Sequence, residues 1–244
     1  MRTAVIYTGH LRSFDRCVKT HRWSVFRHFH DLAFFVSTVD DQDAGKIECL
    51  RKLYPDSQIE FEAVKEQPTL PVPDGQFIPM SNRMFGHEPY AISVEPQAVA
   101  RQLWQLERGY ALMTKAIGDK ELPEIVIRIR PDLWFHSFQA GGLPFGNRDC
   151  YSAWWGRFGG LNDRFAVMGD FAAEYYFQTW TNTPILLDRG CPFHPESLVR
   201  ASLELGNCNI FDWLQTEFST LRSDGKFRPP EIWPMDVAHC ALNA

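Results

Sequence analysis

The stretch TAVIYTGHLRSF, from Thr3 to Phe14, decides how the N-terminal part of the chain folds. Its apolar run from Ala4 to Tyr7 is typical of a buried strand, and Gly9 ends that run. The residues that follow, DRCVKTHRWSVFRHF, place apolar side chains at helical spacing. The pattern therefore predicts a strand, a loop and an amphipathic helix.

The next segments repeat this alternation of strand and helix. DLAFFVSTVDD is a nearly all-apolar strand, DAGKIECLRKLYP is a helix closed by Pro55, and QIEFEAVK is a third strand. Continuous apolar strands are typical of a parallel sheet that is covered on both faces. The β-α-β-α-β order predicts a right-handed, doubly wound α/β sheet with helices on both faces.

Two contrasting segments occupy the middle of the chain. The proline-rich stretch from Pro68 to Pro96 predicts a long surface excursion that serves as an active-site flap. After it, PQAVARQLWQLERGYALMTKAIG keeps apolar residues at helical spacing behind an initial proline, which predicts a long helix.

The segment EIVIRIRPDLWF, Glu124 to Phe135, is predicted to be a strand with an unusual face. Alternation places the isoleucines on one side and Arg128, Arg130 and Asp132 on the other. Charged residues are almost never fully buried unless they are paired. The pattern is open to two interpretations, a ligand site and an internal arginine–aspartate salt bridge.

The C-terminal part continues with shorter elements. CYSAWWGRFGGLNDRFAVMG predicts two strands around a glycine-rich turn, and DFAAEYYFQTW predicts a short helix. HPESLVRASLELGNCNIF predicts a helix from Pro195 to about Leu205, followed by a strand. No boundary between two domains is visible, so we expect one domain that is built on one shared sheet.

Composition narrows the class of protein. The 244 residues carry a net charge of −5, so there is no general basic surface for nucleic acid. The sequence contains no run of 18 apolar residues, so no transmembrane helix is predicted. The N-terminal apolar run is too short for a signal sequence. The 6 cysteines form no C-x-x-C pair and are interpreted as reduced thiols. These features predict a soluble cytoplasmic protein.

Four motifs in order, AVIYTGHLRSF, VIRIRPDLWF, GGLNDRFAVMG and HPESLV, resemble those of small GT-A-type glycosyltransferases of bacteria and large viruses. The resemblance implies a GT-A-like mixed sheet, a nucleotide-sugar donor and transfer of the sugar to a glycan or polysaccharide acceptor. It also implies that residues 1–140 form the donor-binding half and residues 141–244 the acceptor-binding half. The family's Asp-x-Asp metal motif is replaced here by Arg130-Pro131-Asp132, in which only Asp132 matches.

The donor site is predicted at the carboxyl ends of the strands, where ligands bind in open α/β sheets. Asp132 is the expected ligand of a divalent metal, Mn or Mg, because such ions bind carboxylates and substrate phosphates. Guanidinium groups match phosphate geometry. The expected donor-binding residues are Thr8, Gly9, His10, Arg12, Asp40, Arg128 and Arg130. Simple turns, helix caps and surface charges are the alternatives for the loop residues.

Two carboxylates are the candidate catalytic residues. Asp163 follows Gly159-Gly160, which is interpreted as a flexible approach to a pocket, and it could take the proton of an attacking hydroxyl. Glu196 follows Pro195 and could act as the base or bind the acceptor. The alternatives are an Asx-turn for Asp163 and a favourable position at a helix N-terminus for Glu196.

Two other functions stay open from the sequence. A nucleotidyltransferase acting on sugar phosphates would also need carboxylates and metal, with Asp40 or Asp41 as the second carboxylate. A non-catalytic glycan-binding module would use Asp163 and the aromatic residues and would bind no nucleotide. NTPase, classical dinucleotide-binding and serine-hydrolase motifs are absent from the sequence.

Overall fold

The computed structural model describes residues 2–73, 78–80, 90–92, 95–118, 122–140 and 145–228. The strands are β1 (Thr3–Thr8), β2 (Leu32–Val39), β3 (Ile59–Val64), β4 (Ile78–Met80), β5 (Tyr90–Ile92), β6 (Ile125–Ile129), β7 (Leu133–Phe138), β8 (Asp149–Ala153), β9 (Phe165–Gly169), β10 (Asn209–Trp213), β11 (Thr216–Leu221) and β12 (Phe227–Arg228). The α-helices are α1 (Phe14–Thr20), α2 (Ile47–Leu53), α3 (Pro96–Ile117), α4 (Asp170–Phe177), α5 (Thr179–Asp188) and α6 (Pro195–Leu205).

Seven strands form one mixed sheet in the order β3-β2-β1-β6-β9-β8-β10. β1, β2, β3 and β6 are parallel, whereas β9 runs antiparallel to both of its neighbours, β6 and β8. β10 pairs with β8 in parallel. The first three strands come from the N-terminal part and the last three from the C-terminal part. Both predicted halves therefore contribute to one sheet, while their assignment to donor and acceptor stays a prediction.

Alternation along the central strand β1 produces two cores, one on each face of the sheet. Val5 and Tyr7 join the core that α1 and α2 cover. Ala4 and Ile6 join the core that α3, α4, α5 and α6 cover. The predicted α/β fold, a mixed sheet with helices on both faces, is confirmed.

Helix α3 lies unusually close to β1. A Cβ atom on Gly109 would lie 2.6 Å from Thr8 Cγ2 and 2.8 Å from Ile6 Cγ2, so only glycine fits here without displacement. This contact fixes α3 across the end of β1, which is the side of the sheet where the candidate site lies.

The segment from Glu124 to Phe135 forms two strands where the sequence predicted one. Pro131 ends the first of them, β6, because proline has no N–H to donate to a ladder. Arg130 still donates its N–H to the Arg164 carbonyl at 3.0 Å, and Leu133 donates to the Arg130 carbonyl at 3.3 Å. The chain turns there, and β7 joins β11 and β12 in a separate three-stranded sheet.

The helix predicted after Thr3–Phe14 is also less regular than expected. α1 ends at Thr20 and continues as a π-helical turn, His21–Val25, and a 3-10 turn, Phe26–His28. The buried His21 ring lies 2.8 Å from the Tyr7 hydroxyl and 2.6 Å from the Leu133 carbonyl. These two contacts hold the ring between β1 and β7 at the point where the helix widens.

Other predictions have mixed outcomes. The two strands around the glycine-rich turn, the helix that begins at Pro195 and the strand after it are confirmed. The short helix predicted from DFAAEYYFQTW is α4, and α5, which was not predicted, contains Pro184 in its interior. Most of the predicted flap between Pro68 and Pro96 lies outside the described residues, and β4 and β5 pair antiparallel within it.

Two further findings concern cysteines and membrane spans. All 5 cysteines in the described ranges are free thiols: Cys17, Cys49, Cys150, Cys191 and Cys208. In the same ranges, none of the helices combines the length and apolar character that crossing a bilayer requires.

Candidate functional site

A cavity of about 380 Å³ lies at the carboxyl ends of β1 and β6. These strands are neighbours in the sheet, yet the chain leaves β1 toward β2 and reaches β6 much later. Such a reversal of strand order creates the crevice in which open α/β sheets bind ligands. The volume is within the usual range for small-molecule sites. Its wall comes mainly from the loop after β1, the first turns of α3 and the residues that end β6.

The end of β1 contributes Thr8 to the wall, and the loop that follows contributes Gly9, His10 and Arg12. Gly9 has a φ of 113°, a backbone conformation that favours glycine. A Cβ at this position would come no closer than 3.9 Å, to Pro131 Cδ. Backbone conformation, and not lack of space, therefore requires glycine here.

A histidine–aspartate pair stands at the rim of the cavity. His10 Nδ1 lies 2.7 Å from Asp41 Oδ2. Burial alone would raise the pKa of Asp41, but the hydrogen bonds from His10 and from the Asp43 N–H lower it on balance. Asp40 lies outside the wall that the described residues form, and its N–H donates to the Val64 carbonyl. Of the two neighbouring aspartates, Asp41 is thus the one connected to the cavity.

Arg130 and Asp132 both line the cavity and form a bidentate pair. Arg130 Nε donates to Asp132 Oδ1 at 3.1 Å and Nη2 donates to Oδ2 at 2.8 Å. Burial alone would raise the pKa of Asp132, but the charge and hydrogen bonds of Arg130, with the charge of Arg222, lower it on balance. The internal salt bridge considered from the sequence is therefore present.

Arg128 is the most buried charged group at the cavity, with 1% of its surface exposed. It lies on β6, where its register partners are Ile6 on β1 and Ala166 on β9. Its Nε and Nη1 have no hydrogen-bond partner among the described residues. Burial lowers the pKa of Arg128 to about 10, so the group stays charged at neutral pH.

Asp163 is buried and is connected to the cavity wall through one hydrogen bond. Its Oδ2 accepts a hydrogen bond from Gln102 Nε2, and Gln102 itself lines the cavity. The Tyr176 hydroxyl donates to the Asp163 carbonyl at 3.0 Å. The Asx-turn that was the alternative role is made by Asn162, whose Oδ1 accepts from the Arg164 N–H at 3.0 Å. The turn at this point is therefore made by Asn162.

Glu196 is buried beside Asp163 and His194. Its Oε2 lies 3.2 Å from His194 Nδ1, although the angles are not those of a hydrogen bond. Burial and then the charge of Asp163 raise the pKa of Glu196 well above its ordinary value. Burial lowers the pKa of His194. Both groups therefore favour their uncharged forms.

The glycine pair before Asn162 provides close contact where flexibility was expected. Gly159 has a φ of 85°. A Cβ on Gly160 would lie 2.1 Å from the backbone of Glu196, so any side chain would displace α6. The Leu161 N–H donates to the Glu196 carbonyl at 2.9 Å. This backbone contact brings the Asp163 segment against the first turn of α6.

Several wall residues were missed from the sequence because α3 was interpreted only through its apolar positions. Its other stripe places Ala98, Arg101, Gln102 and Gln105 at positions i, i+3, i+4 and i+7, and all four line the cavity. Gln105 is buried and donates to the Ser37 carbonyl at 3.2 Å. The polar stripe of α3, opposite its apolar face, is the sequence signal that could have identified these wall residues.

The residues present do not fit the expected Mn or Mg ion well. Both carboxylate oxygens of Asp132 are already bound by Arg130. Within the part of the chain that the structure describes, no group of three or more histidine, cysteine, aspartate or glutamate residues could hold a metal ion. Metal use therefore stays a prediction from the resemblance, without support from the ligand set.

Comparisons with known proteins find structural similarity alone. No family model and no curated protein matches the sequence. Two solved structures of the glycosyltransferase GlyE from Streptococcus pneumoniae TIGR4, one in the apo form, are similar at 12% identity with TM-scores of 0.41 and 0.43. The alignments cover 86% and 87% of this chain but 45% of each GlyE chain. This chain thus spans less than half the length of those structures.

Proposed function

We propose that this chain is a glycosyltransferase that moves a sugar from a nucleotide-sugar donor to a glycan acceptor. The observation that carries the proposal is the cavity at the switch point of the sheet, into which Arg128 and Arg130 bring positive charge. A nucleotide-sugar presents a diphosphate, and guanidinium groups bind phosphate oxygens through charge-assisted hydrogen bonds. The motif resemblance supports the same reaction.

In this proposal the donor lies along the carboxyl edge of β1 and β6. The nucleoside contacts the loop of Thr8, Gly9 and His10, and its diphosphate contacts Arg128 and Arg130. The pairing of His10 with Asp41 fixes the imidazole at the rim, where a ribose hydroxyl or a base edge can reach it.

The reaction is the attack of an acceptor hydroxyl oxygen on the anomeric carbon. The bond from that carbon to the diphosphate oxygen breaks, and its electron pair leaves with the nucleoside diphosphate. The hydroxyl proton goes to a base, for which Asp163 is the first candidate. Glu196 is a weaker candidate, because its raised pKa favours the protonated form. Stabilising the charge on the leaving group is the main catalytic contribution that we propose.

The free thiols in the described ranges are typical of a reducing compartment. We therefore propose that the reaction takes place in the cytoplasm, and the motif resemblance supports a role in polysaccharide biosynthesis.

Calorimetric titration with five nucleoside diphosphates (of uridine, guanosine, adenosine, cytidine and thymidine) tests the proposal, with the matching nucleotide-sugars and free sugars alongside. We expect one base to bind at least tenfold more tightly than the others, and its sugar conjugates to compete for the same site. Binding of free sugars or glycans without any nucleotide affinity would instead identify a glycan-binding module.

A further inference from the structure

The arginines around the cavity leave several buried guanidinium nitrogens without acceptors. Arg128 Nε and Nη1, Arg101 Nε and Arg222 Nε have no hydrogen-bond partner among the described residues. A buried polar group left unpaired costs about 1–3 kcal/mol, and more when it is charged. Arg128 and Arg101 both line the cavity. Donors of this kind mark a place where a ligand can supply the missing oxygen atoms.

Charge around the cavity is also unbalanced. Its wall contains four arginines, Arg12, Arg101, Arg128 and Arg130, but two carboxylates, Asp132 and Glu95. Asp132 is bound to Arg130, while the Glu95 side chain caps α3 by accepting from the backbone N–H groups of residues 97 and 98. The wall therefore has an excess of two positive charges in a protein whose net charge is −5.

A fifth arginine reinforces this positive region from the other side. Arg222 follows β11, whose last residue, Leu221, donates its N–H to the Asp132 carbonyl at 2.8 Å. Burial and the positive charges of Arg228, Arg130 and Arg12 lower the pKa of Arg222. Like charges that repel one another are stabilised when an anion binds between them.

We propose that this site binds the diphosphate of its donor directly through arginines, with Arg128 as the central ligand, Arg101 in the same wall, Arg222 adding positive charge from outside it, and no requirement for a divalent metal. The inference rests on the proposed function and specifies how the leaving group is held. A diphosphate diester carries two negative charges, which match the excess in the wall. Asp132 is then the positioning residue that orients Arg130.

The chemical consequence concerns the bond between the anomeric carbon and the diphosphate. As that bond breaks, negative charge grows on the diphosphate oxygen that receives the electron pair. Arg128 lines the cavity from a fixed position on β6, so its guanidinium can donate to that oxygen. Preorganised donors of this kind are an effective way to stabilise a departing group.

Calorimetric titration with inorganic pyrophosphate and with the preferred nucleoside diphosphate tests the inference, first in EDTA and then with MgCl2 or MnCl2. We expect both probes to bind in EDTA, with no more than a twofold gain in affinity from metal. Arg128→Gln should weaken both by at least tenfold, whereas Arg51→Gln, at an exposed helix position paired with Glu48, should change nothing. If Arg128→Gln does not fold, Arg222→Gln and Arg101→Gln should each weaken binding at least threefold.

The outcomes separate this inference from the proposed function. If the nucleoside diphosphate binds only with metal, or if the arginine variants bind normally, the arginine site is wrong and the glycosyltransferase proposal stands. If pyrophosphate binds in EDTA but no nucleotide binds more tightly, the arginine site stands and the proposed function is wrong. If neither probe binds under any condition, both are wrong.

Discussion

Arg130 donates a hydrogen bond to each carboxylate oxygen of Asp132, from Nε to Oδ1 at 3.1 Å and from Nη2 to Oδ2 at 2.8 Å. The two residues flank Pro131, which directs the chain out of the main sheet and into β7. The pair thus lies where the sheet ends and the cavity begins. The same ion pair therefore contributes to the stability of the fold and to the charge of the cavity wall.

Replacing Asp132 should destabilise the protein. Asp132→Asn leaves Arg130 without its counter-charge, and breaking a buried ion pair costs about 3–5 kcal/mol. Because the Arg130 side chain is 27% exposed, we expect a smaller loss of about 1–3 kcal/mol in the free energy of unfolding. Urea denaturation measures it, with the exposed Asp56→Asn as the control. A variant as stable as wild type that loses only Mn-dependent nucleotide binding would instead identify Asp132 as a metal ligand.

The buried Glu196 should make stability fall as pH rises. A carboxyl whose pKa is raised by folding binds a proton in the folded state at a pH where the unfolded chain has released it. Stability is therefore complete below the unfolded pKa of about 4.3 and declines by about 1.4 kcal/mol per pH unit until the folded pKa is reached. Glu196→Gln should remove this slope in urea denaturation between pH 4.5 and pH 7, while the exposed Glu217→Gln should keep it. A slope retained in Glu196→Gln would show that Glu196 is ionised in the folded protein.

Gly9 should be needed for its backbone conformation. Gly9→Ala places a side chain on a residue with a φ of 113°, and strain of this kind costs about 1–3 kcal/mol. We expect lower stability and, since Gly9 lines the cavity, weaker nucleotide binding. Gly45→Ala, where a Cβ meets no atom within 4 Å, is the matched control. Unchanged affinity in a folded Gly9→Ala protein would argue against this loop as the donor site.

Much of the fold follows from the sequence because its signals are local. The apolar strands before Lys65 and the proline that opens α3 or α6 need no distant residue to be interpreted. The break at Pro131 could not be predicted from local signals. β7 forms as a separate strand because it pairs with β11, some eighty residues later. Prolines lie at the start of α3 and of α6, whereas Pro184 lies in the interior of α5. A proline in that position gives no local signal for a helix.

The residues of the candidate site likewise fall into those that local sequence signals indicate and those that only tertiary packing reveals. Arg128 and Asp132 were visible as charges on a strand, and their convergence with Gly9 follows from the neighbouring positions of β1 and β6. Arg101 and Arg222 were not visible, because only packing shows that one face of α3 lines the cavity and that the end of β11 pairs with Asp132. The pairing of Asp163 with Gln102 is likewise a contact between distant parts of the chain.

Asp163 should affect transfer more than donor binding. Asp163→Asn keeps the size of the side chain but cannot take a proton at neutral pH, and general-base catalysis contributes about 10²–10⁴-fold. We expect transfer to slow by at least about a hundredfold while calorimetry shows unchanged nucleotide affinity. If affinity changes as well, Asp163 acts as a counter-charge for Arg128 and Glu196 becomes the candidate base.

The identity of the released group tests the central claim most directly. Wild-type protein is incubated with the preferred nucleotide-sugar and a mixture of glycan acceptors, and the products are quantified by mass spectrometry. We expect one nucleoside diphosphate for each acceptor that gains one sugar, and a loss of both products in Arg128→Gln. A parallel incubation supplies nucleoside triphosphates and sugar phosphates, and release of pyrophosphate there would identify a nucleotidyltransferase. Binding of the nucleotide-sugar without any product in either incubation would contradict an enzymatic role.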